Sequence, residues 1–189
     1  MRQMDPLREE TLVEADGEVL EVGFGTALNL RYYRPVVTGL VGIDPMEVAD
    51  VRSVQRRIES SAFPVSRQTL RADGGLPFDA GRFDTVVTTW TLCSIPDVSS
   101  ALEEMRRVLK PGGRYVFIEH GRADEPGTAR WQDRINPLWR RVCDGCNINR
   151  KIDRLVEEGG FELDRLDRFR APGPGIVAQM YRGVARRAA

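Results

Sequence analysis

Two carboxylates in the first quarter of the chain stand where a folded protein could use them to bind a ligand. Glu21 ends a short apolar run and is followed by two closely spaced glycines, Gly23 and Gly25. This pattern predicts a buried strand, a tight turn where the backbone can approach a ligand, and the start of a helix. Asp44 ends the next apolar run, about twenty residues on, which is the spacing of a ribose-binding carboxylate. The pattern therefore indicates a nucleoside-containing cofactor.

The glycine spacing and the charge of Glu21 distinguish between such cofactors. A dinucleotide fingerprint has a third glycine three residues after the second, where this chain has Leu28. A negative charge at Glu21 would repel a diphosphate but attract a cationic amine. S-adenosylmethionine carries an ammonium, a sulfonium and a ribose but no phosphate, so it is the cofactor that we predict. Taken alone, the Gly-x-Gly turn is equally typical of an ordinary strand–turn–helix.

Later segments complete the pattern of an α/β nucleotide-binding domain. Ala72 and Asp73 close another apolar-flanked segment, and the β-rich run 83–90 ends in Thr89 and Trp90. Residues 97–109 carry apolar side chains at helical spacing, and the sequence 109–113 is typical of a helix stop with chain reversal. A further strand, 114–120, follows. In this order the motifs resemble the class I S-adenosylmethionine-dependent methyltransferases, over nearly the whole chain.

This resemblance and the alternation of strands and helices predict one α/β domain over residues 1–189. We expect a Rossmann-like, doubly wound, seven-stranded sheet that is mostly parallel. The runs 162–170 and 176–186 are too close in sequence for a parallel crossover, so they are expected to form a C-terminal antiparallel hairpin. The other predicted strands are 18–22, 40–44, 65–70, 83–89 and 114–120, and the predicted helices include 5–15, 48–60 and 97–109.

The resemblance also implies which residues bind the cofactor. These are Glu21, Gly23, Gly25, Asp44, Ala72, Asp73, Thr89 and Trp90. Glu21 and the glycine turn would face the amino-carboxyl end, Asp44 the ribose hydroxyls, and Asp73 the adenine edge. Ala72 would contribute backbone contacts, and Thr89 or Trp90 would line the methyl-transfer side.

Methyl transfer is an in-line displacement at an activated sulfonium, so the protein chiefly aligns the acceptor and excludes water. A general base helps only when the acceptor arrives protonated. His120, the sole histidine, ends the fifth predicted strand and is of a type that titrates in the useful range. Asp144 and Glu119 are alternative bases or orienting groups. The candidate catalytic residues are His120 and Asp144.

Residues 121–150 follow the carboxyl end of the fifth strand, where ligands bind in open α/β sheets, and are expected to be a lid or substrate-side insertion. Trp131, Ile135 and Trp139 have helical spacing and are expected to pack a helix on the sheet. The sequence 144–146, Asp-Gly-Cys, with 92–94 and 119–120, is similar to a narrower group of methyltransferase-like proteins.

The mammalian members of that group are membrane-associated alkyl-thiol methyltransferases with an N-terminal anchor. This chain begins almost directly at the fold, so membrane residence is not expected. The resemblance favours a small thiol or sulfide as methyl acceptor. Phospholipid head-group amines and quinol-like phenols remain open, as does a non-catalytic domain that binds S-adenosylmethionine. A dehydrogenase is less consistent with the glycine pattern.

Composition agrees with these expectations. The chain has 189 residues, of which 41% are hydrophobic, which suits one globular domain. Its 28 basic and 28 acidic residues balance, so nothing indicates a nucleic-acid partner. No apolar run approaches the ~20 residues of a membrane span, and no signal peptide is apparent, so a cytoplasmic location is expected. If the acceptor is a lipid, the N-terminal apolar residues are available for peripheral membrane contact. The oligomeric state is not predicted.

The three cysteines, Cys93, Cys143 and Cys146, raise the question of a metal. With His120 they would make a Cys₃His set, and Cys143 and Cys146 have zinc-like spacing. A single Cys-x-x-Cys without a second half is weak evidence, so free thiols and no metal site are expected.

Overall fold

The computed structural model describes residues 4–47 and 50–187. Within them the chain alternates between strands and helices. The helices are α1 (Asp5–Leu12), α2 (Val51–Glu59), α3 (Val98–Val108), α4 (Pro126–Val142) and α5 (Ile152–Glu158). The strands are β1 (Gly17–Val22), β2 (Val37–Asp44), β3 (Val65–Thr69), β4 (Phe83–Thr89), β5 (Leu109–His120), β6 (Phe161–Arg170) and β7 (Gln179–Arg187).

The seven strands form one sheet in the order β3-β2-β1-β4-β5-β7-β6. The first five strands are parallel, whereas β7 runs antiparallel to both β5 and β6. This confirms the predicted mostly parallel sheet with a C-terminal antiparallel hairpin. In the register of the central strands, Val22 pairs with Ile43 on one side and with Thr88 on the other. The residues that follow these three positions, Gly23, Asp44 and Thr89, therefore lie together at one edge of the sheet.

Helices cover both faces of the sheet, and each face has its own apolar core. Side chains alternate between the faces of a strand, so Leu20 joins one core and Val19 the other. The first core includes Leu102 of α3 and Val156 of α5. The second includes Leu12 of α1 and Val54 of α2. This is the three-layer arrangement of a doubly wound domain.

Helix and strand boundaries differ from the sequence predictions by a few residues. The first helix ends at Leu12 rather than near residue 15, and β7 begins at Gln179 rather than 176. The predicted start of the second helix at Val48 lies outside the described residues. The third helix begins after Asp97, whose side chain caps it by accepting from the Ser100 amide at 3.1 Å. Leu109, predicted to end this helix, is the first residue of β5.

Of the three residues predicted to pack the helix of residues 121–150 on the sheet, Ile135 and Trp139 are partly buried, whereas the prediction was wrong for Trp131. Trp131 is 51% exposed, and the face of α4 that is buried carries Gln132 and Asn136 instead. Gln132 accepts from the Ala123 amide at 2.8 Å and donates to the carbonyl of Ile176 at 2.9 Å. The helix is thus docked through side-chain amides that satisfy buried backbone groups, a pattern that apolar periodicity cannot detect.

Within the two described ranges, no helix combines the length and the apolar character needed to cross a membrane.

Candidate active site

Two adjoining cavities open at the carboxyl ends of β1, β2 and β4. Their volumes are about 330 and 720 Å³, and they share Gly23, Thr89, Trp90 and Asp144 in their walls. They lie at the point where the strand order reverses, with β2 on one side of β1 and β4 on the other. Open α/β sheets bind ligands at such a point. We call the smaller cavity the Asp44 cavity and the larger one the Glu21 cavity.

Glu21 lies in the wall of the Glu21 cavity and is only 1% exposed. Its carboxylate accepts from Asn29 Nδ2 at 2.9 Å and from the Tyr33 hydroxyl at 2.7 Å. Burial raises the pKa of Glu21 to about 7, although these hydrogen bonds and the nearby Arg8 act in the opposite direction. A buried carboxylate at the end of a central strand is poised to take up a cationic group.

Arg8, on α1, is a residue of this cavity that the sequence analysis missed. Its guanidinium lies 4.6 Å from the centre of the Trp90 ring, donates to Thr89 at 3.3 Å and is hydrogen-bonded to Asn29. The cavity therefore holds a cation and a carboxylate side by side. The sequence carried no signal for Arg8, because a lone arginine in a short N-terminal helix is usually a surface residue.

The glycine turn brings backbone close to other parts of the site. Gly23 and Gly25 both have positive φ, of 81° and 49°. A Cβ at Gly23 would lie 2.1 Å from Thr91 Oγ1, so this position requires glycine. The Gly25 amide donates to Asp44 at 2.9 Å, which links the turn to β2. Ala27 also has a positive φ, of 61°, which is uncommon for a residue other than glycine.

Asp44 lies in the wall of the smaller cavity, with one carboxylate oxygen on the Gly25 amide and the other on the Met46 amide at 3.0 Å. An ionised carboxylate can accept up to about four hydrogen bonds, so each oxygen has capacity for a ligand hydroxyl. Met46 is 66% exposed and also lines this cavity. Other apolar residues of this wall are Val22, Ile43, Pro45, Leu70, Ile95 and Pro96.

Ala72 and Asp73 also line the Asp44 cavity, in a short 3₁₀ turn. Arg71 donates to both oxygens of Asp73, at 3.0 and 2.9 Å, and the Asp97 amide donates at 3.2 Å. These contacts lower the pKa of Asp73 against the effect of burial. They also fix the carboxylate in one orientation.

Thr89 and Trp90 separate the two cavities. Trp90 has a φ of 52°, an uncommon conformation for a bulky residue that costs about 1–3 kcal/mol. Its amide donates to the Ile118 carbonyl at 2.8 Å. The next amide, of Thr91, donates to both carboxylate oxygens of Glu119, at 3.1 and 2.8 Å. Through these hydrogen bonds Glu119 holds the backbone of the strained turn. It is fully buried, and desolvation raises its pKa to about 7.

Asp144 reaches the walls of both cavities from the loop after α4. It has a φ of 45° and is followed by Gly145 at 80°. The loop is held by Asn147, whose backbone and side-chain nitrogens both donate to the Cys93 carbonyl, at 2.8 and 2.9 Å. Asn136 of α4 accepts from the Ile148 amide at 3.0 Å and donates to Asn147 at 3.2 Å.

His120 is not among the residues that line either cavity. Its Nε2 lies 3.3 Å from Cys146 Sγ, and Cys93 lies against the same sulfur. Cys93 and nearby His120 lower the pKa of Cys146, and the same pairing raises that of Cys93. The structure thus gathers the predicted cofactor-binding residues and Asp144 around the Asp44 and Glu21 cavities, which together form one cleft. It places His120 in a separate cluster beside this cleft.

Comparison with known proteins identifies the family to which the chain belongs. A family model described as a methyltransferase domain matches residues 20–117, more than half of the chain. The chain therefore belongs to the class I S-adenosylmethionine-dependent methyltransferases, in which S-adenosylmethionine is the methyl donor and S-adenosylhomocysteine the product.

Two human relatives are more specific. The chain is 32% identical to thiol S-methyltransferase TMT1A over 82% of its own length and 64% of that protein. It is 33% identical to thiol S-methyltransferase TMT1B over 89% of its own length and 72% of that protein. A solved structure of a candidate methyltransferase from Bacillus halodurans superposes with a TM-score of 0.74 at 19% identity, covering all of both chains. At that identity the likeness concerns the fold.

The residues of the cleft fit the cofactor chemically. A buried carboxylate and a guanidinium share the Glu21 cavity, matching the opposite charges of an amino acid. The Asp44 cavity combines a carboxylate with apolar walls, as a ribose and a base require.

Proposed function

We propose that this protein transfers a methyl group from S-adenosylmethionine to a small thiol or sulfide. The observation that carries the proposal is the similarity to the two human thiol S-methyltransferases over most of the chain. The chain spans only 64% of the length of human TMT1A. The acceptor and the activity of the whole protein are therefore part of the proposal. The proposal includes the cytoplasmic location expected from the sequence.

The Glu21 cavity is proposed to bind the amino acid end of the cofactor. The Glu21 carboxylate would bind the ammonium, and the backbone of Gly23 and Gly25 would approach it closely. Arg8 would bind the carboxylate of the cofactor, since a guanidinium has paired N–H donors that match the two oxygens of a carboxylate. Asn29 and Tyr33 orient Glu21 through the hydrogen bonds already described.

The Asp44 cavity is proposed to bind the nucleoside. Asp44 would accept from the ribose hydroxyls while it holds the turns on either side. Asp73 and the backbone of Ala72 would bind the adenine edge, and Met46 would cover the base. Arg71 supports this role of Asp73 because it fixes the carboxylate without using all of its acceptor sites.

Thr89, Trp90 and Asp144 are proposed to line the place of methyl transfer, because they border both cavities. The bound cofactor supplies a methyl group already activated by a sulfonium. The acceptor sulfur displaces it in line, so the protein needs to align the sulfur and exclude water. Asp144 would orient the acceptor by accepting a hydrogen bond from its S–H group. The thiol proton passes to solvent as the new sulfur–carbon bond forms and the methyl–sulfonium bond breaks, which leaves S-adenosylhomocysteine. A free thiol, with a pKa of about 8.5, is partly ionised at neutral pH.

Residues 121–150 are proposed to form the substrate side, because α4 and its following loop place Asp144 at the cleft. His120, predicted to be a catalytic residue, is proposed to act as a positioning residue for that loop through Cys146.

The test is transfer of labelled methyl from S-adenosylmethionine to sulfide and small alkyl thiols, recovered as volatile thioether. Binding of S-adenosylhomocysteine is confirmed first in the same preparation. We expect label in the volatile fraction, and loss of both binding and turnover in Asp44→Ala. Label that appears only with phospholipid vesicles or a quinol would contradict the thiol proposal. Binding without transfer to any of these acceptors would favour a non-catalytic domain.

A further inference from the structure

A cluster of two thiols and an imidazole lies beside the cleft. Cys93 belongs to the loop after β4, His120 is the last residue of β5, and Cys146 belongs to the loop after α4. One ligand atom from each lies within 4.8 Å of the other two, and Cys146 Sγ is 3.3 Å from His120 Nε2. The three residues come from distant parts of the sequence, so the fold itself assembles the cluster.

The spacing is close to that of a tetrahedral metal centre. Zinc bonds of about 2.3 Å to sulfur and 2.0–2.1 Å to nitrogen place a sulfur and a nitrogen about 3.6 Å apart, and two sulfurs about 3.8 Å apart. The observed 3.3 Å and the 4.8 Å limit bracket these separations. Small side-chain adjustments would therefore suffice to coordinate an ion.

The backbone around the cluster is fixed. Asn147 donates twice to the Cys93 carbonyl, which ties the loop of Cys146 to the loop of Cys93. Asn147 in turn accepts from Asn136 of α4. Arg150 also holds the Cys93 loop, through its contacts with the carbonyls of Leu92 and Ile95. The backbone that carries the two cysteines is therefore largely formed before an ion binds.

The donor set selects a soft or borderline cation. Thiolate and imidazole ligands suit zinc, whereas magnesium and calcium prefer oxygen. Two thiolates would neutralise a divalent ion, which matters because Cys93 is buried and Cys146 is half-buried.

We propose that Cys93, His120 and Cys146 form a three-ligand zinc site whose fourth coordination position is free for water or another small ligand. Binding replaces the thiol protons of Cys93 and Cys146, which pass to solvent. Cys143, which the sequence grouped with Cys146, is outside the cluster. The neighbours Ser94 and Asp144 line the Asp44 cavity, so the ion would lie close to the methyl-transfer cleft. This inference does not depend on the identity of the acceptor.

The experiment measures metal binding on the full chain without cofactor or acceptor. The protein is purified with a phosphine reductant, loaded with Zn²⁺ or Co²⁺ and dialysed, and bound metal is counted by elemental analysis. We expect about one ion per chain, and a thiolate-to-cobalt charge-transfer band, as two thiolate ligands require. Cys146→Ser and His120→Ala should each weaken zinc binding more than about tenfold in a chelator competition.

Cys143→Ser is the matched control, because it removes a half-buried cysteine three residues from Cys146 but outside the cluster. It should retain the ion and the cobalt band. Cys93→Ser changes a buried residue, so its thermal unfolding is compared with that of the parent before its metal content is interpreted. The proposal is overturned if the reduced parent retains no zinc, if Cys146→Ser retains it, or if Cys143→Ser loses it equally. Failure of methyl transfer alone would leave these readouts unchanged.

Discussion

Individual residues in the Glu21 cavity determine how opposite charges are placed next to each other. Glu21 is buried and Arg8 is partly buried, yet each is held by neutral partners, Asn29 and Tyr33 for Glu21 and Asn29 and Thr89 for Arg8. A zwitterionic ligand would therefore bind to a carboxylate and a guanidinium that are already in position. Two predictions at the residue scale test this arrangement.

Arg8→Ala is expected to weaken S-adenosylhomocysteine binding about tenfold to a hundredfold, because a charge-assisted hydrogen bond contributes about 1.5–3 kcal/mol. Isothermal titration calorimetry measures the change. Arg31→Ala is the matched control, since Arg31 is exposed, pairs with Asp5 at 2.7 Å and is outside the cavity wall. Equal losses in the two variants would contradict the assignment of Arg8.

The pKa of Glu21, about 7, predicts that cofactor affinity depends on pH. A cationic ammonium favours the ionised carboxylate, so below pH 7 binding must release a proton. Affinity should rise by up to about tenfold per pH unit between pH 5 and 7 and then level off. The groups that face Glu21 do not titrate in this window, because Arg8 stays charged and the pKa of Tyr33 is raised well above its usual value.

Calorimetric titrations of S-adenosylhomocysteine between pH 5.5 and 8 check this prediction, with Glu21→Gln as the comparison. The substitution keeps the size of the side chain and should remove most of the slope. A slope that persists in Glu21→Gln would show that another group titrates on binding.

At the scale of elements, α4 positions the loop that carries Asp144 through polar rather than apolar contacts. Asn136→Ala leaves the buried Ile148 amide without its side-chain acceptor, so the free energy of unfolding should fall by about 1–3 kcal/mol. Trp131→Ala on the exposed face of the same helix should change it by less than about 0.5 kcal/mol. Urea unfolding measures both values. A larger loss in Trp131→Ala would mean that the tryptophan, and not the asparagine, holds the helix.

At the scale of the whole molecule, the hairpin of β6 and β7 completes the sheet by packing closely on β5. A Cβ at Gly183 would lie 2.5 Å from the Phe117 ring and 2.7 Å from the Arg165 carbonyl. Gly183→Ala should therefore lower the free energy of unfolding by about 1–3 kcal/mol, since both neighbours are held in the sheet.

Gly175→Ala, in the link between the same two strands, is the control. Its added Cβ would meet Arg170 at 3.5 Å, which is an ordinary contact, so the stability should be nearly unchanged. Denaturant midpoints of the two variants and the parent provide the comparison. Similar values for Gly183→Ala and Gly175→Ala would show that the hairpin can move away from β5 at little cost.

The sequence by itself determined the elements and the cofactor class, because both depend on local patterns. Strand β4 was predicted to the residue. Glu21 and Asp44 lie near the carboxyl ends of β1 and β2, and Gly23 and Gly25 follow β1, so these residues must meet at one edge of a parallel sheet. Apolar runs, glycine turns and the short link of the hairpin are readable without tertiary contacts.

Only the tertiary structure decided which residues meet from distant segments. Arg8 reaches the cleft because α1 packs against β5 and directs the guanidinium to Thr89 at the end of β4. The Cys93–His120–Cys146 cluster forms because two loops meet at the end of β5. The buried face of α4 also depended on the tertiary fold, since Gln132 and Asn136 are buried by pairing with backbone groups outside the helix, those of Ile176 and Ile148. Local periodicity records burial of apolar side chains, whereas these contacts depend on hydrogen-bond partners that exist only after folding.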